Sequence, residues 1–238
     1  EGYQREDGYN PAEIQETTVD LSGFHFLRKS FLHMTMGILV PAAVAVYFLF
    51  FDRRIFFAIR DVRVIGVIQL VVVLFLSFSI RKISFVTAVI LFYLYSALTG
   101  VTFAYVGALY SPASVLYTFA ITLTIFAALS VYGYLTKEDL RGYGKFFMIG
   151  LLSLILLSVV NLFLNASTLY WIGTVAGVAI FTLLIAYDVN RIKRWSEELI
   201  REDPAMAAKM GIIGALELYL DFINLFLYAL RIFGKRRN

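Results

Sequence analysis

Seven uninterrupted apolar stretches, at about residues 31–51, 64–80, 83–109, 113–135, 146–164, 167–187 and 211–234, leave this chain few ways to fold. A helix needs roughly 20 predominantly apolar residues to cross the hydrocarbon core of a bilayer. The runs are continuous rather than alternating, so they predict spanning helices and not a β-barrel. With 60% hydrophobic and only 16% charged residues, a water-soluble globule is excluded, since soluble domains carry about a quarter charged residues. The reading is an all-α integral membrane protein with seven transmembrane helices. The second run, at 17 residues with Gln69 inside it, is the shortest; the third, at 27, must tilt or emerge into the headgroups.

Residues 1–30 read as a polar, acidic amino-terminal tail, 31–234 as the transmembrane domain, and 235–238 as a short basic tail. The amino-terminal stretch lacks the basic start, apolar core and cleavage site of a signal peptide. There is no cysteine, and the two histidines, His25 and His33, stand eight apart, so no HExxH metal pair or Ser-His triad can be assembled. Nothing resembles a phosphate-binding loop or a nucleic-acid surface. No enzymatic activity, cofactor or nucleic-acid partner is expected, and the net charge of +4 is read as lysine and arginine flanking the spans.

Basic loops stay cytoplasmic. The amino-terminal side of the membrane collects 13 lysines and arginines against eight opposite, and the connections at 110–112 and 165–166 carry none. The amino terminus is therefore expected inside and the carboxy terminus outside, although Arg53, Arg54, Arg60 and Arg63, and the terminal Arg231, Lys235, Arg236 and Arg237, pull the other way. A re-entrant last helix would put the tail inside. Tyr170, Trp171 and Trp195 suit interfacial anchors, Gly173 and Gly177 form a GxxxG step for close helix approach, Pro41 reads as a kink, and His33 as an interfacial residue.

Of the 17 acidic residues, Glu217 and Asp221 lie inside the seventh apolar run and Asp188 at the cytoplasmic end of the sixth. Acids inside a membrane generally face a protein interior or water and mark function. Glu217, Asp221, Asn224 and Tyr228 follow at intervals of four, three and four and share one helical face. A helix with that polar stripe cannot be surrounded by lipid and should be the enclosed, central one; Asn224 and Tyr228 are expected to hydrogen-bond neighbouring helices. Asp188 and Asp221 can meet only if the sixth helix continues past the lipid or a vestibule dips in. Two carboxyls that meet cannot both ionise cheaply, so they titrate as a pair. With one proton shared, an O–H to O⁻ bond joins helices six and seven; without it, like charges repel or a divalent cation neutralises them.

Ala186-Tyr187-Asp188-Val189-Asn190-Arg191-Ile192-Lys193 and Leu218-Tyr219-Leu220-Asp221-Phe222-Ile223-Asn224-Leu225-Phe226, followed by Leu230-Arg231 and Gly234, resemble the Bax-inhibitor (transmembrane Bax inhibitor motif) family in its bacterial, pH-sensitive calcium-leak branch. The likeness extends more loosely from about residue 28 to 234, through the Ser96–Gly100 region, and omits the acidic tail. It implies six helices around a central seventh, with Asp188 and Asp221 as the pH-sensing pair. It also implies a basic residue at the cytoplasmic end of the second helix that contacts the pair in the closed state; Arg81 is the nearest candidate and Lys82 the alternative. Some members carry an acid in the second helix where this chain has Gln69, which puts a three-carboxylate calcium site in doubt.

The expected function is a passive, pH-gated cation leak in a bacterial cytoplasmic membrane, closed by the hydrogen-bonded pair and opened by its deprotonation. Its partners are calcium ions, protons and the bilayer, with Ca²⁺ permeant or transiently held by Asp188 and Asp221. A second reading is a non-conducting regulator of membrane proteases or of stress and cell-death machinery, which needs a membrane-protein partner. A third, an intramembrane aspartyl protease, has Tyr187-Asp188 in its favour but Leu218-Tyr219-Leu220-Asp221 where GxGD is required. A retinal protein would need a lysine in the seventh span, which has none.

Overall fold

The computed structural model describes residues 11–52, 54, 62–79, 82–202 and 204–237. Among these residues the chain forms seven α-helices: α1 (Pro11–Phe50), α2 (Val62–Ser79), α3 (Phe85–Leu109), α4 (Pro112–Leu135), α5 (Gly144–Leu164), α6 (Ser167–Glu202) and α7 (Pro204–Phe233). A 3₁₀ turn, Leu140–Tyr143, precedes α5. Six helical stretches are long and apolar enough to cross a membrane, and α2 contributes a shorter apolar segment, Val64–Val73. The protein is an all-α membrane protein.

Local chemistry sets the helix ends. Ser84 and Ser111 each accept a hydrogen bond from the backbone N–H three residues on, and Pro112 follows Ser111 at the first helical position. Asn165 closes α5 in the left-handed conformation at φ 48°, where asparagine is tolerated. Two helices overrun their apolar stretches. α1 begins at Pro11, so the part of the expected tail from residue 11 onward is helical; Phe26, Leu27 and Ser30 are buried, and the Ser30 hydroxyl donates to the Gly211 carbonyl at 3.0 Å. α6 likewise continues to Glu202.

Pro41 lies within α1. Proline has no N–H, so the carbonyl of Gly37, one turn earlier, loses its helical donor. Ser96 of α3 supplies one, its hydroxyl donating to that carbonyl. A neighbouring helix thus satisfies a group that the bilayer could not, as intramembrane prolines require.

α7 is the core. Of its span, 72% is buried, against at most 39% for any of the other five long spans. It packs on α6, α1, α4 and α3. One face is aromatic: Tyr219 meets the rings of Phe92 and Tyr95, Phe222 those of Phe119 and Phe126, and Phe226 those of Phe103 and Phe119. Lipid tails compete for apolar surface, so fitted ring geometry, worth about 0.5–1.5 kcal/mol per pair, matters more here than burial itself. The opposite face carries the polar stripe.

α7 is one continuous helix from Pro204 to Phe233. After it, residues 235–237 of the expected tail lie against the α3–α4 turn. The Ser111 N–H donates to the Lys235 carbonyl and the Arg237 N–H to the Leu109 carbonyl, both at 2.8 Å, stitching the chain end onto the α3–α4 turn. Gly234 permits this approach: a Cβ there would stand 2.3 Å from the Leu230 carbonyl oxygen and 2.6 Å from the Tyr110 ring.

Candidate functional site

Helices α6 and α7 pack against each other most extensively of any pair. α6 ends at Glu202 and α7 begins at Pro204, so they form an antiparallel hairpin. Asp188 lies 14 residues before Glu202 and Asp221 17 after Pro204. At 1.5 Å per residue these are depths of about 21 and 26 Å, within one turn of each other. The overrun of α6 thus supplies the condition under which the two acids can meet. They do: both are only 4% exposed, and their carboxyls are within hydrogen-bonding reach of each other.

Two further charged groups join them. Arg191, three residues after Asp188, places Nη2 2.7 Å from Asp188 Oδ1 and 2.6 Å from Glu217 Oε2. Its guanidinium is held between the rings of Tyr187 and Trp195, at 5.0 and 4.9 Å from their centroids. Trp195, expected as an interfacial anchor, is therefore a wall of the site. Glu217, one turn before Asp221, shares the arginine with Asp188. Ionised carboxyls only accept hydrogen bonds, so Asp188 and Asp221 can be joined by one only when one of them carries a proton. Among the described residues, no group of three or more histidine, aspartate or glutamate side chains is placed to hold a metal ion together.

The rotation of α6 is fixed from the other side. Asn190 donates to the carbonyls of Gly133 and Glu138 and accepts from the Leu140 N–H, while Lys193 donates to the Tyr134 carbonyl. These bonds fasten the α4–α5 connection to α6 two residues from Asp188. Gly133 lets the backbones touch, since a Cβ there would lie 2.4 Å from the Ala186 carbonyl oxygen.

Beside the charged cluster lies a cavity of about 760 Å³, bounded by α2, α5, α6 and α7 and touched by Tyr95 of α3. Asp188, Arg191, Glu217 and Asp221 all line it, as do Asn224 and Tyr228 farther along α7 and Gln69 of α2. Gln69 also ties α2 to α3, its amide donating to Thr99 Oγ1 at 2.8 Å and accepting from Thr102 at 3.3 Å.

The structure thus brings Asp188, Asp221 and Glu217 together. Asn224 does not bond a neighbouring helix as expected; its amide donates to the Leu220 carbonyl one turn back. Tyr228 stacks on Phe181 and lies under the Arg231 guanidinium, its ring fitted against Gly177. The GxxxG step therefore serves two partners, because Gly173 faces Leu157 of α5. His33 is half-buried, its Nδ1 3.1 Å from the Tyr93 hydroxyl. Arg81 and His25 lie outside the residues whose side chains are described, and Lys82 is exposed at the α2–α3 connection. The base that reaches Asp188 among the described residues is Arg191. In the sequence it is one of the 13 lysines and arginines counted on the amino-terminal side of the membrane. The available signal was its i+3 spacing from Asp188.

Comparison with known proteins agrees with this architecture. The family model described as "Inhibitor of apoptosis-promoting Bax1" matches residues 24–238. The inner membrane protein YbhL of Escherichia coli K12 is 43% identical over 214 residues, covering 86% of this chain and 88% of its own. An uncharacterised protein of Borreliella burgdorferi is 39% identical over 221 residues, covering 90% and 93%, and one of Caulobacter vibrioides 34% over 239, covering 96% and 95%. With the match running through all seven helices, the chain belongs to the Bax inhibitor family.

Proposed function

We propose that this protein is a passive, pH-gated cation leak with Ca²⁺ as the permeant ion, set in the cytoplasmic membrane of a bacterium with its amino terminus inside and its carboxy terminus outside. The observation that carries the reading is the apposition of Asp188 and Asp221, each 4% exposed, across the α6–α7 contact and beside a cavity. A shared proton makes this contact an O–H to O⁻ bond that ties the two helices. Loss of the proton leaves adjoining negative charges that repel, or that a hard divalent cation neutralises through carboxylate oxygens. Arg191 and Glu217 touch the pair's charge directly, and Tyr95, Tyr187 and Tyr228 are the other titratable groups facing the cavity. α2 packs chiefly on α3, which makes it the wall best able to move when the pair changes state. The basic-residue count and the inner-membrane relative support the placement.

The purified protein alone, reconstituted into liposomes, is expected to pass Ca²⁺ with a pH-dependent rate, and Asp221→Asn to displace or flatten that dependence. An unchanged flux profile in Asp221→Asn defeats the gating assignment. Absence of flux from the wild-type protein alone favours the regulator that acts through a membrane-protein partner.

A further inference from the structure

We infer that the slot between α2 and α5 is a lateral site for a long-chain amphiphile with a protonated amine head, entered from the bilayer. This goes beyond the leak reading and concerns the cavity's occupant rather than its gating.

The slot is elongated and graded in polarity. It runs along α7 from Glu217 to Tyr228 and along α5 from Gly144 to Val159, roughly 16 and 22 Å at 1.5 Å per residue. One end holds the charged cluster. The other is mostly apolar, with Ser158, Asn224 and Tyr228 among its lining, and its rim on α5 is a stripe at helical spacing, Met148, Leu152, Ile155 and Val159, with each residue 45% to 57% exposed. Opposite stands Gly66 of α2, with open space where a side chain would be. α2 packs chiefly on α3 and α5 on α6, so the two walls of the slot are held by different neighbours and the opening between them faces lipid.

The charge at the closed end specifies the head. Asp188, Glu217 and Asp221 face one guanidinium, Arg191, which is committed to Asp188 and Glu217. With one proton shared between the aspartates and Glu217 ionised against Arg191, three carboxyls and one arginine leave one negative charge uncompensated in a low-dielectric site, a costly state that a monocation relieves. Asp221 is 96% buried and lines the slot, and apart from the Asp188 carboxyl no group among the described residues bonds its Oδ2. An ammonium offers three donors and one charge. An anionic head would meet carboxylates, and among the described residues no three carboxylates converge as metal ligands. Because lipid is as apolar as the slot, the chain adds little affinity of its own; it holds the amine at the depth of Asp221, and the head supplies the selectivity.

The test uses the full chain in phosphatidylcholine nanodiscs and a dodecylamine carrying a diazirine in its chain, with the matching dodecanol as control. After irradiation, adducts are mapped by mass spectrometry. The amine should label the Met148–Val159 stripe and the α2 wall near Gly66 about tenfold more than the alcohol, the scale of a charged hydrogen bond. Unlabelled dodecylamine should displace it, and ethylammonium at the same concentration should not. Asp221→Asn should reduce amine labelling to the level of the alcohol, Glu217→Gln should reduce it in part if Asp221→Asn does not fold, and Leu152→Trp should block both probes. Equal labelling by amine and alcohol, displacement by ethylammonium, or amine labelling unchanged in both carboxyl variants would overturn the proposal. A pH-gated leak that persists in Asp221→Asn while amine labelling is lost would sink the gating reading and leave this one standing.

Discussion

Removing the Arg191 guanidinium would strand two carboxylates, Asp188 and Glu217, that both rest on one of its nitrogens. Breaking a buried pair by deleting one partner generally costs about 3–5 kcal/mol, because the remaining charge has nowhere to go. Arg191→Met is therefore expected to lower the thermal unfolding midpoint in detergent substantially, and the double variant with Glu217→Gln to recover part of the loss. Arg191→Lys should fall between, since it keeps the charge but gives up the planar group stacked by Tyr187 and Trp195. At this scale the sequence is half legible. Asp188 and Asp221 stand out because acids are rare in apolar runs. Arg191 does not, because bases are common at the cytoplasmic ends of helices, and only its position one turn from Asp188 separates it from Lys193 and Arg194.

Helices α4 and α6 approach so closely at Gly133 that an added methyl would meet the backbone of Ala186, which cannot swing aside as a side chain can. Gly133→Ala is expected to cost about 1–3 kcal/mol in the same unfolding measurement, as overpacking does. Gly66→Ala, with nothing within 4 Å of the new atom, should be neutral or gain up to about 1 kcal/mol from helix propensity. Equal effects of the two would show that the contact at Gly133 is not tight. The helices themselves were legible from hydropathy; two of their ends were not. The sixth apolar run stops at residue 187, yet residues 188–202 contain neither glycine nor proline. Nothing halts the helix before Pro204, which opens the next one. Hydropathy reports where lipid ends, whereas the backbone continues until something breaks it. α1 overruns in the other direction, from Pro11 and through Gly23.

For the molecule as a whole, the proposed gating places the titrating groups in the α6–α7 contact and not in the loops. The α4–α5 connection carries its own ion pair, with Arg141 Nη2 2.8 Å from Asp139 Oδ2. Hydrogen bonds from Arg141 hold the Asp139 carboxyl down at about 2. A depressed carboxyl contributes its pairing above its ordinary value and loses it only as pH falls through the lowered one, so this pair stays ionised across pH 5 to 8. Asp139→Asn should therefore leave the midpoint of any pH-dependent Ca²⁺ flux in that window unchanged; a shifted midpoint would place part of the sensor in the loop. The central place of α7 was legible from its polar stripe, which lipid would not tolerate. The stitching of residues 235–237 onto the α3–α4 turn was not, because backbone pairing between distant segments leaves no pattern in the side chains.

That the core helix comes later in the sequence than every helix it packs on has a consequence for biosynthesis. The ribosome delivers the shell before the pillar it surrounds: the aromatic rings of α3 and α4 and the carboxyl of Asp188 reach the bilayer while the helix that will meet them is still being translated. A premature stop codon between residues 204 and 221 would thus leave those rings without the helix they pack on, and Asp188 with Arg191 alone as its partner.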